Sequence, residues 1–86
     1  MRLQGAIIKE QGITFAVVIV KHHVVNNSSE ANEAIASFQP LFTGIPLVLM
    51  AQDSRGTPTY YGRRDIADFM ANVPISSIPW QEYTVS

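Results

Sequence analysis

Cysteine is absent from these 86 residues. That excludes disulfides, thiol redox chemistry, cysteine nucleophiles and cysteine-based zinc sites. Charge is scarce as well, with 15% of residues being Asp, Glu, Lys or Arg against roughly 25% in a typical soluble domain. What charge there is nearly cancels: six basic and seven acidic side chains leave a formal net charge of −1. A duplex-binding domain carries a clearly basic footprint, and this composition has none. No apolar run approaches the roughly 20 residues that a membrane-spanning helix needs; the longest, Phe15 to Val20, has the length of a strand. Met1-Arg2 leads into a mixed segment without the basic and long apolar regions of a secretion signal, so the expected location is cytoplasmic. Gly44, Gly56 and Gly62 are scattered and compose neither a Walker A loop nor G-x-G-x-x-G.

What is present reads as one domain, residues 1–86. Apolar residues make up 47% of it. A chain this short builds a single core of modest stability, and sparse surface charge favours self-association.

The apolar pattern changes period along the chain. Leu3 to Lys9 reads as a first strand, and Glu10-Gln11-Gly12 as a tight turn. Ile13 to Lys21 is rich in β-branched residues and nearly continuous in its apolarity, as for a strand buried on both faces. His22 to Val25 read as its extension. Asn26-Asn27-Ser28-Ser29 are helix-starting residues, followed by Ala31, Ala34, Ile35 and Phe38 at the spacing of one helical face. Glu30 and Glu33 suit the positive end of the helix dipole, and Pro40 ends the regular part. Ile45 to Ala51 is a further strand, with Pro46 expected where no ladder bond is needed. Asp53 to Gly56 is a type I turn. Thr57 to Tyr61 is a strand that Pro58 consigns to an edge. Asp65 is placed to cap a second helix with Ile66, Phe69, Met70 and Val73 on one face, and Pro74 stops it. Residues 75–86 have no period, but Ile75, Ile78, Trp80 and Tyr83 argue for a packed tail. The expected fold is α+β, in the order β-β-α-β-β-α: a four-stranded mixed sheet, two helices and a packed C-terminal tail.

Alternation assigns the sheet faces. Ile13, Phe15, Val17 and Ile19 share one face of the second strand, and Ala16, Val18 and Val20 the other; Leu47 and Leu49 oppose Val48 and Met50 on the third. Both faces are apolar. Either the helices lie on opposite faces, or the tail covers the second face, or a second chain does; two-layer architecture favours the last, a homodimer.

Few residues suggest chemistry. His22 and His23 as strand neighbours point to opposite faces and cannot chelate one ion; no metal site and no cofactor is expected. A nucleophile–base–acid set could be drawn from Ser54, a histidine and Asp53, but no G-x-S-x-G or comparable motif supports one. The stretch Pro58 to Asp65, PTYYGRRD, is the most suggestive. Tyr and Arg are enriched at binding hot spots, aromatics beside cations stack single-stranded bases, and Arg55, Arg63 and Arg64 are half of the basic residues. The same stretch is also explained as a strand, with Tyr60 and Tyr61 on opposite faces, turning into a helix at Gly62.

The run from Pro46 to Pro74, followed by Ile78 to Thr84, resembles a type of short bacterial protein of unassigned function, a likeness that implies no activity. Gly44 to Met50, a turn, a strand and an amphipathic helix also resemble the C-terminal β-β-α of thioredoxin-like proteins, but without cysteines no redox function is implied. The leading expectation is a small non-enzymatic binding module acting as a homodimer, with Tyr60, Tyr61, Arg55, Arg63 and Arg64 as contact residues. The alternative is a small enzyme with a site at the subunit interface, using His22 or His23 with Asp53. A weak single-stranded nucleic-acid binder comes third.

Overall fold

A computed structural model of the chain describes residues 2–10 and 12–84. Gln11 of the expected turn and Val85 and Ser86 of the expected tail lie outside the described residues. β1 (Arg2–Glu10) and β2 (Ile13–Ile19) form an antiparallel hairpin, Gly5 opposite Val18 and Glu10 opposite Ile13. Gly12, at φ 77°, supplies the left-handed residue of its turn, a conformation that costs a residue with a Cβ about 1–2 kcal/mol.

The chain then forms α1 (His22–Val25) and α2 (Ser28–Phe38), continues through a 3-10 turn (Gln39–Phe42), and returns as β3 (Leu47–Gln52) parallel to β2. Asn27 caps α2 by accepting the N–H groups of Ser29 (3.0 Å) and Glu30 (3.2 Å). Pro46 stands just before β3, where its carbonyl accepts from Ala16 N–H at 2.9 Å and its missing N–H is not needed. β4 (Pro58–Tyr61) pairs antiparallel with β3 at the sheet edge, as Pro58 requires. α3 (Arg64–Met70) follows, then a 3-10 turn (Ile75–Ser77) and β5 (Gln81–Thr84), which pairs antiparallel with β1. The strand order is β4-β3-β2-β1-β5.

The class is therefore α+β, but with five strands and three helices rather than four and two. The packed tail carries the extra strand, hidden in the sequence because only Tyr83 of Gln81–Thr84 turns inward. The extra helix is His22–Val25, which reads as strand. Val24 N–H bonds back to Lys21 C=O at 3.0 Å and Val25 is buried against α2's side of the sheet, so tertiary packing overrides the β-preference of two valines. The second helix also starts differently from expectation. Arg63 occupies the capping position of α3, no side chain caps it, and Asp65 lies inside the first turn.

The helices cover opposite faces. On one, Ala16, Val18, Leu47, Leu49 and Ala51 pack under Val25, Ala31 and Phe42. On the other, Phe15, Val17, Val48 and Met50 pack under Ile66, Met70 and Ile78. The alternation along β2 and β3 is thus the one the sequence dictates. Val17, Val18, Val48, Leu49 and Met50 have no exposure at all, and burying a side chain of that size contributes about 1.5–3 kcal/mol. Of the three ways to cover two apolar faces, the chain uses its own helices. Among the described residues no bare sheet face is left to require a second chain. No helix among them is long and apolar enough to cross a membrane.

Candidate functional site

The stretch from Pro58 to Asp65 begins as β4. Its alternation puts Tyr60 among the residues packed with α3 and Tyr61 among those packed with α2. Tyr61 Oη donates to Asn32 Oδ1 at 3.2 Å, tying the edge strand to α2. The Tyr60 hydroxyl is buried with no hydrogen-bond partner among the described residues, and burial pushes its pKa up. Gly62 then turns the chain at φ 150°. A Cβ there would stand 3.1 Å from Leu47 O and 3.2 Å from Val48 Cα, so only glycine lets the end of β4 lie against the start of β3.

The two arginines beyond Gly62 differ. Arg63 makes a forked contact to Asp65, Nε to Oδ1 at 2.8 Å and Nη2 to Oδ2 at 2.9 Å. That hydrogen bonding holds the Asp65 carboxyl below its usual range. Both side chains are about half exposed, 53% each, so the pair shapes the loop more than it stabilises the fold. Arg64 is exposed at the first position of α3. Arg55 sits in the β3–β4 turn, at the other end of β4. The five candidate contact residues therefore do not converge on one patch. Tyr60 and Tyr61 are on opposite sides of the sheet, and Arg55 is separated from Arg63 and Arg64 by the length of a strand. What they share is β4, one margin of the sheet.

His22 and His23 lie on α1, not on a strand end, so the opposite-faces reason against a shared ion does not apply. Each has a local partner instead. His23 Nδ1 is 2.9 Å from Glu30 Oε2, and Asn26 Nδ2 is 3.2 Å from His22 Nδ1. Asp53 staples its own turn, its Oδ1 accepting from Arg55 N–H (2.8 Å) and Thr57 N–H (3.0 Å). Because β2 and β3 are parallel, α1 and the Asp53 turn do emerge at the same end of the sheet, but no hydrogen bond joins them among the described residues. No group of three His, Cys, Asp or Glu among the described residues is arranged to hold a metal ion.

A feature of the other margin was not visible in the sequence. β5 pairs only with Arg2 to Gly5 of β1. Extended by two residues, its ladder would bring Pro79 opposite Ile7, and proline has no N–H to give. The chain leaves the sheet there, and Ile78 drops into the core beneath α3. The direction of the exposed backbone groups follows from the neighbouring ladders. Ala16 and Val20 donate their N–H groups to Pro46 and Met50 of the β3 side. Alternation then turns Phe15 and Val17 toward β1, where they face Ile8 and Ala6. Ile7 and Lys9 consequently present N–H and C=O outward, past the end of β5. Ile7 is also the most exposed large apolar residue described, at 50%. Beside this open edge runs a groove of about 380 Å³ lined by Ile7, Ile8, Phe69, Met70, Val73 and Ile78, among others. Nothing in local sequence marks it, since it depends on which strand becomes β1's outer neighbour and where that neighbour stops.

Compared with known protein families, with curated proteins and with solved structures, this chain matches none.

Proposed function

We propose that this protein is a small non-enzymatic interaction module that acts as a homodimer and makes its contacts through the margins of its sheet. The observation that carries the reading is the open half of β1, where Ile7 and Lys9 turn backbone donors and acceptors outward beside a groove of mixed lining, apolar at Ile7, Ile8, Phe69 and Ile78 and polar at Lys9, Glu10 and Ser77. An unpaired edge of this kind is a template for another strand. Sparse charge supports the same reading, since little of the surface repels a second copy. In the proposal the opposite margin, β4 with Tyr60, Tyr61, Arg55, Arg63 and Arg64, faces other partners; Arg63 is paired with Asp65, while Arg55 and Arg64 make no ion pair among the described residues. Light scattering across a range of concentrations tests the assembly. A mass of two chains is the expected result, and a single-chain mass at the highest concentration would refute it.

A further inference from the structure

β1 and β2 do not stay paired to the end of the sheet. Their ladder stops at Gly5 opposite Val18. From there β1 continues to Arg2 paired with β5, while β2 continues to Ile19 paired with β3. The extended register would set Arg2 opposite Lys21. Lys21 is instead the capping residue of α1, and the chain turns away there to bury Val25 on the α2 face. The sheet therefore forks between β1 and β2, and α1 and α2 close the fork from one side.

A hollow of about 460 Å³ occupies the fork, within the roughly 300–1,000 Å³ of small-molecule sites. Its apolar lining comes from Leu3, Ile19, Val20, Val24, Ala34 and Phe38. Val20, Val24, Ala34 and Phe38 pack against the core yet are only half-buried, so each leaves apolar surface in the hollow. The polar lining is Arg2, Gln4 and Lys21, all exposed, and no carboxylate among the described residues joins them. Two of the six basic side chains of the whole sequence thus border one apolar hollow. Like charges opposed across neighbouring strands are unfavourable, and an anion between them removes that cost. Arg2 has one ionic partner, Glu82 at 3.7 Å, with both side chains mostly exposed, and Lys21 has none among the described residues.

We propose that this hollow binds a free amphipathic carboxylate, an aliphatic chain ending in one carboxylate group. The chain lies against Val24, Ala34 and Phe38, and the carboxylate sits between Arg2 and Lys21. The arginine offers a planar fork that matches a carboxylate, and the lysine adds a mobile point charge. A second copy of this chain fits less well. The exposed large apolar residues described are Ile7 and Leu41. The nearest charged residue to Ile7 in sequence is Lys9, and no charged residue lies between Glu33 and Asp53 around Leu41. Neither brings an acid to meet the two cations. The site stands whether or not the chain dimerises.

Decanoate below its micellar concentration is the probe, followed by amide NMR shifts of the wild type. Shifts are expected at Leu3, Val20, Val24, Ala34 and Phe38, and not at Ile66, Met70 or Ile78 on the other face. Arg2→Gln and Lys21→Gln change exposed positions and should keep the wild-type circular dichroism. Each is expected to weaken decanoate binding by up to about fivefold at low salt, and added salt should shrink that difference. Decyltrimethylammonium, with the same chain and the opposite charge, should bind more weakly than decanoate, and acetate should leave these amides unmoved. Equal shifts from decanoate and decyltrimethylammonium would reveal an apolar hollow that does not select anions, and would overturn the proposal. Decanoate shifts on both faces, or none at all, would overturn it too. Shifts at these residues that grow with protein concentration alone would place a second copy in the hollow. A response to phosphatidylglycerol vesicles but not to decanoate would place a membrane surface there. Either result replaces the proposed occupant and overturns it.

Discussion

Replacing Tyr60 by phenylalanine removes one oxygen atom and is expected to make the protein more stable. The ring packs with Met50, Ile66 and Met70 in the core beneath α3, while its hydroxyl is buried without a partner among the described residues. Withdrawing a hydroxyl from water unpaired costs about 1–3 kcal/mol in proteins. Because Tyr60 as a whole is only partly buried, the low end applies, a gain of about 1 kcal/mol for Tyr60→Phe. In a domain of this size that is about 4–8 °C in Tm. The effect must also depend on pH. Burial raises the Tyr60 pKa above its usual 10.0, so the folded protein keeps its phenol protonated where the unfolded chain has begun to ionise. The contribution is constant below pH 10 and turns against the fold as pH rises past it. Urea unfolding of both proteins at neutral pH and at about pH 10.5 should show an unchanged m, a gain for the variant, and a wider gap at the higher pH. A variant less stable than wild type by about 1 kcal/mol at neutral pH would show that the hydroxyl has a partner in solution, contrary to its unpaired burial. A gap independent of pH would refute the burial argument separately.

Two further outcomes test the local structure. Asn27→Ala removes both acceptor contacts at the start of α2 and is expected to cost about 0.5–2 kcal/mol in chemical denaturation, with no change in the ladder amides of β1 and β2. Gly62→Ala forces a Cβ toward Leu47 O and Val48 Cα at a positive φ. It is expected to lose about 1–3 kcal/mol and to disturb the NMR shifts of Leu47, Val48 and Tyr61 before those of β5.

The parts of the fold that were legible in the sequence depend on neighbours a few residues apart. The two-residue period of β2 and β3 placed Phe15 and Val17 on one face and Ala16 and Val18 on the other, and the same period separated Tyr60 from Tyr61. The helix-starting run Asn26 to Ser29, followed by Ala31, Ala34, Ile35 and Phe38, defined α2. Pro58 fixed β4 as an edge. What was not legible depends on distant residues. His22-His23-Val24-Val25 has strand preferences and becomes a helical turn because Val25 is buried with Ala31 and Leu47. Gln81–Thr84 becomes a strand because β1 offers it an edge, and because Tyr83 finds Phe42, ring to ring at 5.1 Å. Gly5 admits that contact: a Cβ would stand 2.9 Å from Val17 O and 3.5 Å from the Tyr83 ring. For the candidate site, alternation separated the tyrosines but could not show that Arg63 turns to Asp65 or that β5 leaves Ile7 and Lys9 unpaired.

The β1–β5 ladder joins residues from the two extremes of the described chain through four opposed pairs, whereas β1 and β2 are opposed at six positions across a short turn. The first must close a loop of almost the whole chain, the second a few residues, and closure entropy rises with loop length. Detachment of β5 therefore leaves the hairpin and both helical layers in place, and the amides of Gln81 to Thr84 should be among the first to exchange with solvent. A detached β5 also doubles the vacant row on β1, because Leu3 and Gly5 join Ile7 and Lys9 in facing outward. The hollow beside Phe42 and the Tyr83 ring that fills it then belong to separable pieces. Were a detached β5 to pair with the vacant row of a second copy instead of its own, the exchange would be a domain swap, the same native contacts supplied by a different chain.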